Sequence, residues 1–358
     1  MARQAWSACI PSNLARMLPD VRGGSIMTKK RVTLALQGGG SHGAFTWGVL
    51  DRLLEDERLR IEGISGASSG AMNAAILAYG YTQGGTEGAR KALRNFWEHI
   101  ATEFSGKMPV LNPFNGATAL DTYLELTKTF SPYQLNPLDM NPLRALVQQS
   151  IEFDSLRSNC PIKLFIAATQ VSSGKLRIFE NHELTIDTLM ASACLPSIHK
   201  AVVIENESYW DGGFAGNPPV FPLIFNCKHN DIVIVMLHPL KTSNLPTTAE
   251  EIRQHTSDLS FNTAFLREMR AIAFSKEIIS GYWLPSGRLE KRLDKTNIHL
   301  IEDQATLSQF NARSKYNTLP SFLERLFKEG YATAGVWLEN NFTHLGKKSS
   351  VDLAGLFC

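Results

Sequence analysis

Cysteine is sparse in this chain and offers no pairing pattern. Cys9, Cys160, Cys194, Cys227 and Cys358 stand far apart among 358 residues, an odd number with no CxxC spacing. That distribution argues against a disulfide framework and a thiolate zinc site, and suits a reducing compartment such as the cytoplasm. Net charge is nearly absent as well. The 36 Lys and Arg against 34 Asp and Glu leave +2, which supplies no electrostatic footprint for nucleic acid. No apolar run approaches the about 20 residues needed to cross a bilayer. Histidines and carboxylates form no cluster with ligand spacing, so no metal is expected. No internal repeat or low-complexity linker divides the chain. What remains is 44% apolar and 20% charged, the composition of an ordinary globular protein.

The opening 30 residues are basic and poor in acid, with Arg3, Arg16, Arg22, Lys29 and Lys30 against Asp20. They lack the uninterrupted apolar centre of a secretory signal. Pro11 and Pro19 cut short any amphipathic helix. Residues 1–30 therefore read as an extension, either disordered or upstream of a true start at Met27. A targeting segment or a membrane-surface arm is the alternative. The domain proper is expected over residues 31–345, with 346–358 as a tail.

Past the extension, short apolar runs alternate with helical spacing. "VTLAL" reads as a buried strand, and "GAFTWGVLDRLLEDE" as a helix through Phe45, Val49, Leu50, Leu53 and Leu54. "IEGIS" is the next strand and "GAMNAAILAY" the next helix, with Gly80 at a C-cap position. "KLFIAATQV", "AVVIE" and "IVIVML" continue the strands, the last buried on both faces. Helices are expected at "ARKALRNFWEHI", "ALDTYLELTKTF", "NPLRALVQQSI" and Ser257 to Tyr282, and a pair is expected to meet at Gly330. "NPFNGA", "SPYQLNPLDMNP" and "TSNLPTTAEE" read as loops. Strand–helix alternation of this kind predicts a parallel α/β sheet in one domain with helical insertions.

Two glycine-rich turns interrupt this pattern. "GASSG" fits G-x-S-x-G, with Gly66, Ser68 and Gly70 in the fixed places, between a strand and a helix. A nucleophile on such a turn needs a strained backbone, and side chains two residues away would collide with it. The helix N-terminus beyond it favours developing negative charge. These requirements select Ser68 over Ser65 and Ser69. "QGGGSHG" follows the first strand, and Gly38, Gly40 and Gly43 also satisfy the dinucleotide pattern G-x-G-x-x-G. A dinucleotide fold wants an acid at the end of the next strand, where this chain has the serine turn. One site accounts for both turns if N–H groups of the first face a carbonyl attacked by Ser68.

A serine needs a base, and none of the nine histidines stands in a recognisable triad context. "YWDGGFAGNPPV" offers Asp211 before Gly212 and Gly213, a tight turn that can present a carboxylate, or an Asx-turn without chemistry. In the order "GGGSHG", "GASSG", "DGG", with "MASACLPSI" before the aspartate, the chain resembles the patatin-like phospholipases over roughly residues 31 to 345. The resemblance implies a three-layer α/β/α sandwich around a mostly parallel sheet. It implies hydrolysis of lipid carboxylic esters by a Ser–Asp dyad, without cofactor or metal. Carried over by motif, Ser68 is the nucleophile, Asp211 the base, and Gly38, Gly39, Gly40 and Gly43 the oxyanion hole. The implied partner is a lipid or other hydrophobic ester, which brings a cytoplasmic chain to a membrane surface. The stretch "SPYQLNPLDMNPLRALV" and the helix from Ser257 to Tyr282, with Phe261, Phe265, Leu266, Met269, Ile272 and Phe274, are candidate walls for its acyl chain, or plain core. At His42 the family usually has Arg or Lys, so charge there would depend on pH, near ~6.5 unless burial shifts it. The remaining alternatives are a dinucleotide-dependent oxidoreductase and a catalytically idle lipid-binding member of the fold.

Overall fold

The apolar runs form strands and the segments of 3.6-residue spacing between them form helices. The computed structural model describes residues 29–105, 119–240, 245–281, 287–310 and 312–358. Met27 and the basic residues before it, "NPFNGA", and Tyr282 lie outside the described residues. The chain runs β1 (Lys30–Leu36), α1 (Gly43–Glu55), β2 (Leu59–Gly66) and α2 (Ser69–Ser105). Short helices α3 (Ala119–Leu126), α4 (Pro132–Leu135), α5 (Pro142–Ser150) and α6 (Phe153–Asn159) lead to β3 (Lys163–Gln170) and β4 (Leu176–Glu180). Then come α7 (Ile186–Ser192), β5 (Val202–Ile204), β6 (Glu207–Asp211), α8 (Phe221–Asn226) and β7 (Asp231–Val235). The last elements are α9 (Ala249–Gly281), α10 (Arg288–Lys295), β8 (Asn297–Ile301), α11 (Gln304–Leu307), α12 (Pro320–Asn341) and α13 (Leu353–Phe357).

Eight strands make one sheet in the order β5-β6-β3-β2-β1-β7-β8, with β4 also paired to β3. The pairs among β3, β2, β1, β7 and β8 are parallel, and β4, β5 and β6 join antiparallel. Successive side chains of a strand point to opposite faces, and the two faces bury separate cores. Val32, Leu34 and Leu36 of β1 and Val233 and Val235 of β7 pack with α1, α2 and α12. Ala35, Ile232 and Ile234 pack on the other side with α8 and α9. The result is the expected layered α/β arrangement, helices on both faces of a mostly parallel sheet. After Leu345 the chain still packs against it: Leu353 is buried and the Phe357 ring meets Phe265 at 5.9 Å.

Two glycine readings need correction. The helix does not end at Gly80; α2 continues to Gly84 and Gly85, where the backbone leaves helical geometry. Gly80 instead serves a close approach, because a Cβ there would lie 2.5 Å from the Gly88 carbonyl oxygen and 2.6 Å from Ala92 Cβ. Nor do two helices meet at Gly330, which lies inside the continuous α12. A Cβ on Gly330 would run into the Phe45 carbonyl of α1, and one on Gly48 would run into α12 at Phe327 and Tyr331. The two glycines face each other's helices and let the backbones touch. The strands β4, β6 and β8 were also not anticipated.

Register places the ends of two strands together. On β3, Ile166 pairs with Gly66 of β2, and Ala168 pairs with Asp211 of β6. β4 occupies the opposite edge along Phe165–Thr169, so β2 and β6 share one edge of β3 and meet end to end. The turn after β2 and the last residue of β6 therefore start two residues apart on a common strand, about 7 Å.

The α1–α12 contact yields a paired test. Gly330→Ala should lower the melting temperature through overpacking worth about 1–3 kcal/mol. Gly335→Ala, on the same helix with only Arg52 Nε nearby at 3.7 Å, should be neutral or stabilising, up to about 1 kcal/mol from helix propensity. Equal effects at both positions would contradict the close-contact account.

Candidate active site

Ser68 sits between β2 and α2 with φ 53°, a left-handed conformation that costs a residue with a side chain about 1–3 kcal/mol. Its neighbours hold it there. The Ser68 N–H donates to the Ser192 carbonyl and to Ser192 Oγ, each at 3.1 Å. A Cβ on Gly66 would lie 2.7 Å from the Gly70 carbonyl carbon, and one on Gly70 would strike the end of β1 at Leu36. Ser68 keeps partial exposure, while Ser65 is buried and donates to the Pro219 carbonyl at 2.6 Å. Ser69 Oγ accepts from the Gly39 N–H at 3.0 Å. Of the three serines, only Ser68 stands on the strained turn with its side chain open.

Asp211 ends β6 and is fully buried. Oδ1 accepts from the Gly213 N–H at 2.8 Å, and Oδ2 has no hydrogen-bond partner. Burial pushes the carboxyl pKa up to about 7, opposed by the Gly213 N–H and by the Ser68 hydroxyl beside it. The "DGG" turn is closed on both sides. A Cβ on Gly212 would lie 2.6 Å from the Ala167 carbonyl carbon, and the Phe261 ring lies where a Gly213 side chain would stand. Phe261 stacks on Phe214 at 4.5 Å. Tyr316 is near enough to Asp211 for that charge, with burial the larger cause, to raise its own pKa.

The first glycine turn lies against the serine. A Cβ on Gly38 would lie 2.7 Å from Ser68 Cβ. The Gly38 N–H donates to Asn217 Oδ1 at 2.7 Å, and the Gly43 N–H closes the turn on the Gly40 and Ser41 carbonyls. Gly40 has φ 59° under the Lys315 carbonyl. Its N–H makes no hydrogen bond among the described residues. Gln37 braces the turn from behind: Nε2 donates to the Asn217 carbonyl at 3.3 Å and Asn262 Oδ1 at 3.1 Å. Its Oε1 accepts from Leu237 N–H at 2.6 Å and His238 N–H at 2.9 Å. Sequence reasoning singled out neither this glutamine nor Asn217 and Ser192, because their partners lie far away in the chain.

His42 does not supply a titrating charge near neutrality. Its ring is buried against Phe310 and Phe322, at 5.6 and 6.2 Å, with Nε2 2.7 Å from Ser314 Oγ. Burial, with Lys315 adding to it, pushes the pKa down to about 4, so the imidazole is neutral at pH 7. Among the proposed acyl walls, Phe265, Met269 and Ile272 serve the second core and Phe274 is exposed. Phe261 packs on the "DGG" turn. Among the described residues, no group of three His, Cys, Asp or Glu could hold a metal ion, and no helix is long and apolar enough to cross a membrane.

The raised pKa of Asp211 carries a sign for stability. Between its ordinary value of 3.8 and about 7, the folded chain holds a proton that the unfolded chain has released. The stabilisation is complete below that window and is lost as pH rises through it. Asp211→Asn keeps the acceptor for Gly213 and removes the buried charge. The variant should therefore melt several degrees above wild type at pH 8 and near it at pH 4. A variant no more stable at pH 8 would contradict the desolvated carboxylate.

Comparison with known proteins follows this geometry. No curated protein matches the chain. Among solved structures, VipD from Legionella pneumophila is similar with 14% identity over 87% of this chain and 67% of that one, TM-score 0.40. The heterodimeric ExoU–SpcU complex from the type III secretion system of Pseudomonas aeruginosa matches with 15% identity over 88% of this chain and 78% of that one, TM-score 0.27. The sequence profile of the patatin-like phospholipases matches residues 34–224, a span from β1 through most of α8 that holds both glycine turns, Ser68 and Asp211. That span is more than half of the chain, and the chain belongs to the patatin-like phospholipase family.

Proposed function

We propose that this chain hydrolyses lipid carboxylic esters through an acyl-Ser68 intermediate, with Asp211 as the base. The observation that carries the reading is the free Oδ2 of a fully buried carboxylate beside a serine on a strained turn. A carboxylate with pKa near its usual ~4 is a poor base toward a hydroxyl. One raised to about 7 takes the proton more readily as attack proceeds, and remains ionised in about half of the molecules at neutral pH.

As Ser68 Oγ adds to the ester carbonyl, its proton passes to Asp211 Oδ2. The carbonyl oxygen becomes an oxyanion. We assign its donors to the turn at Gly38, Gly39, Gly40 and Gly43, and within it to the Gly39 and Gly40 N–H groups. Gly38 and Gly43 already donate within the fold. The Gly39 N–H meets only a hydroxyl, Ser69 Oγ, which an oxyanion can displace. The N-terminus of α2 adds favourable potential. Collapse breaks the bond to the alcohol, which leaves with the proton from Asp211. Water then attacks the acyl-serine by the same route and releases the acid, restoring the Ser68 hydroxyl. Exposed Tyr133, Leu138 and Met140 support contact with the lipid surface where such substrates reside.

The test is hydrolysis of p-nitrophenyl octanoate. Ser68→Ala and Asp211→Asn should each lower kcat/KM by about a thousandfold or more, with Ser65→Ala and Ser69→Ala retaining Ser68-dependent turnover. Wild-type kcat/KM should rise about tenfold per pH unit below a single apparent pKa near 7 and level off above it. Undiminished turnover in Ser68→Ala would overturn the assignment of nucleophile. A profile flat from pH 5 to 8 would overturn that of the base.

A further inference from the structure

Between β6 and α8 the chain leaves Asp211, passes the "DGG" turn and meets the first glycine turn at Asn217. This asparagine is fully buried, and its amide addresses both polar groups of Gly38. Oδ1 accepts from the Gly38 N–H at 2.7 Å, and Nδ2 donates to the Gly38 carbonyl at 3.5 Å, the long end of a hydrogen bond. The short contact fixes which way the amide faces, because the reverse would set its NH2 against an N–H. Meeting a donor and an acceptor together takes a side chain with one of each on a single planar group.

The longer contact bears on the chemistry. A peptide unit is planar and trans, so the Gly38 carbonyl and the Gly39 N–H point to opposite sides of one rigid plane. The carbonyl faces Asn217, and the N–H faces Ser69 Oγ at 3.0 Å, beside the residue that carries the nucleophile. Turning the carbonyl away from Asn217 would turn the Gly39 N–H with it. Gly38 offers no resistance of its own. A Cβ there would lie 2.6 Å from the Ala67 carbonyl oxygen and 2.7 Å from Ser68 Cβ, so the position requires glycine, the residue that least restricts its own backbone. Restraint has to come from a neighbour.

Asn217 is itself anchored. Its carbonyl accepts from Gln37 Nε2 at 3.3 Å. Just beyond it, the Val220 and Phe221 N–H groups donate to Glu268 Oε1 of α9, the first at 2.9 Å. One short segment therefore carries the base at its start and a brace for the glycine turn further on.

Resting on the acyl-hydrolase reading, we propose that Asn217 is a positioning residue for ester hydrolysis, which clamps Gly38 and so aims the Gly39 N–H at the oxyanion formed when Ser68 attacks. It touches no reacting atom and acts through the glycine turn. Its effect is felt when the oxyanion forms and not when the ester binds.

The experiment measures hydrolysis of p-nitrophenyl octanoate and inhibition by octyl trifluoromethyl ketone and octyl methyl ketone. Ser68 Oγ adds to the trifluoromethyl ketone, its proton passes to Asp211, and the carbonyl oxygen takes the electron pair and stays as an oxyanion. The methyl ketone binds without reacting. Asn217→Ala should lower kcat about a hundredfold and leave KM within about twofold. The trifluoromethyl ketone should weaken by a like factor, and the methyl ketone should bind as before. Asn217→Asp, of the same volume, keeps the acceptor for the Gly38 N–H and loses the donor to its carbonyl. It serves if the alanine variant does not fold, and should show the same selective loss. A loss carried by KM, equal weakening of both ketones, or wild-type kcat in either folded variant overturns the positioning role and leaves Ser68-dependent hydrolysis standing. Absence of Ser68-dependent hydrolysis in the wild-type chain overturns the acyl-hydrolase reading and this role with it.

Discussion

A carboxylate kept from water is the constraint around which this molecule is arranged. Asp211 closes β6 with one oxygen on a backbone N–H and the other without a formed hydrogen bond beside the Ser68 hydroxyl, an arrangement that a solvated aspartate would not hold. Exclusion of water is built from several directions. Ala167 of β3 lies under Gly212, the Phe261 ring of α9 lies over Gly213, and Tyr316 closes in from the segment after α11. The cost is a buried group whose ionisation opposes folding above about pH 7. A stable fold with two large cores can bear such a cost.

Sheet register turns that constraint into a site. β2 runs up one edge of β3 and ends; β6 comes down the same edge and ends against it. The serine turn and the aspartate are joined by this shared strand, not by any direct contact along the sequence. The glycine turn after β1 then completes the row, fixed by side-chain hydrogen bonds from Gln37, Asn217 and Ser69. Asn217 takes the Gly38 N–H and the turn's own carbonyls take that of Gly43, which is why the proposed oxyanion donors narrow from four glycines to two.

Much of this was legible in the sequence because the motifs are local. Strand, glycine turn and helix follow one another within "LALQGGGSHGAF" and "GISGASSGAM", and each fragment carries its own backbone demand. Where a feature depends on a distant partner, local reading failed. Gly80 and Gly330 carry the composition of helix ends, but serve contacts with Gly88 and Phe45 that no local pattern reveals. β6 was hidden because "ESYWD" shows neither an apolar run nor period-two alternation, and it finds its partners far off in β3 and β5. Gln37 is one polar residue before a glycine run, and its bonds reach 180 to 225 residues along the chain. His42 read as a replacement for a charge, and became a neutral core residue once Phe310 and Phe322 closed over it.

The central claim, that Ser68 is the group acylated, is tested most directly by locating the covalent adduct. The protein would be treated with a long-chain alkyl fluorophosphonate, digested, and its peptides sequenced by mass spectrometry. The account predicts one modified serine per chain, within "GASSG" at Ser68, and no adduct after Asp211→Asn on the same time scale. Modification at Ser65, Ser69 or a serine elsewhere, or no adduct in the wild-type chain, would contradict it.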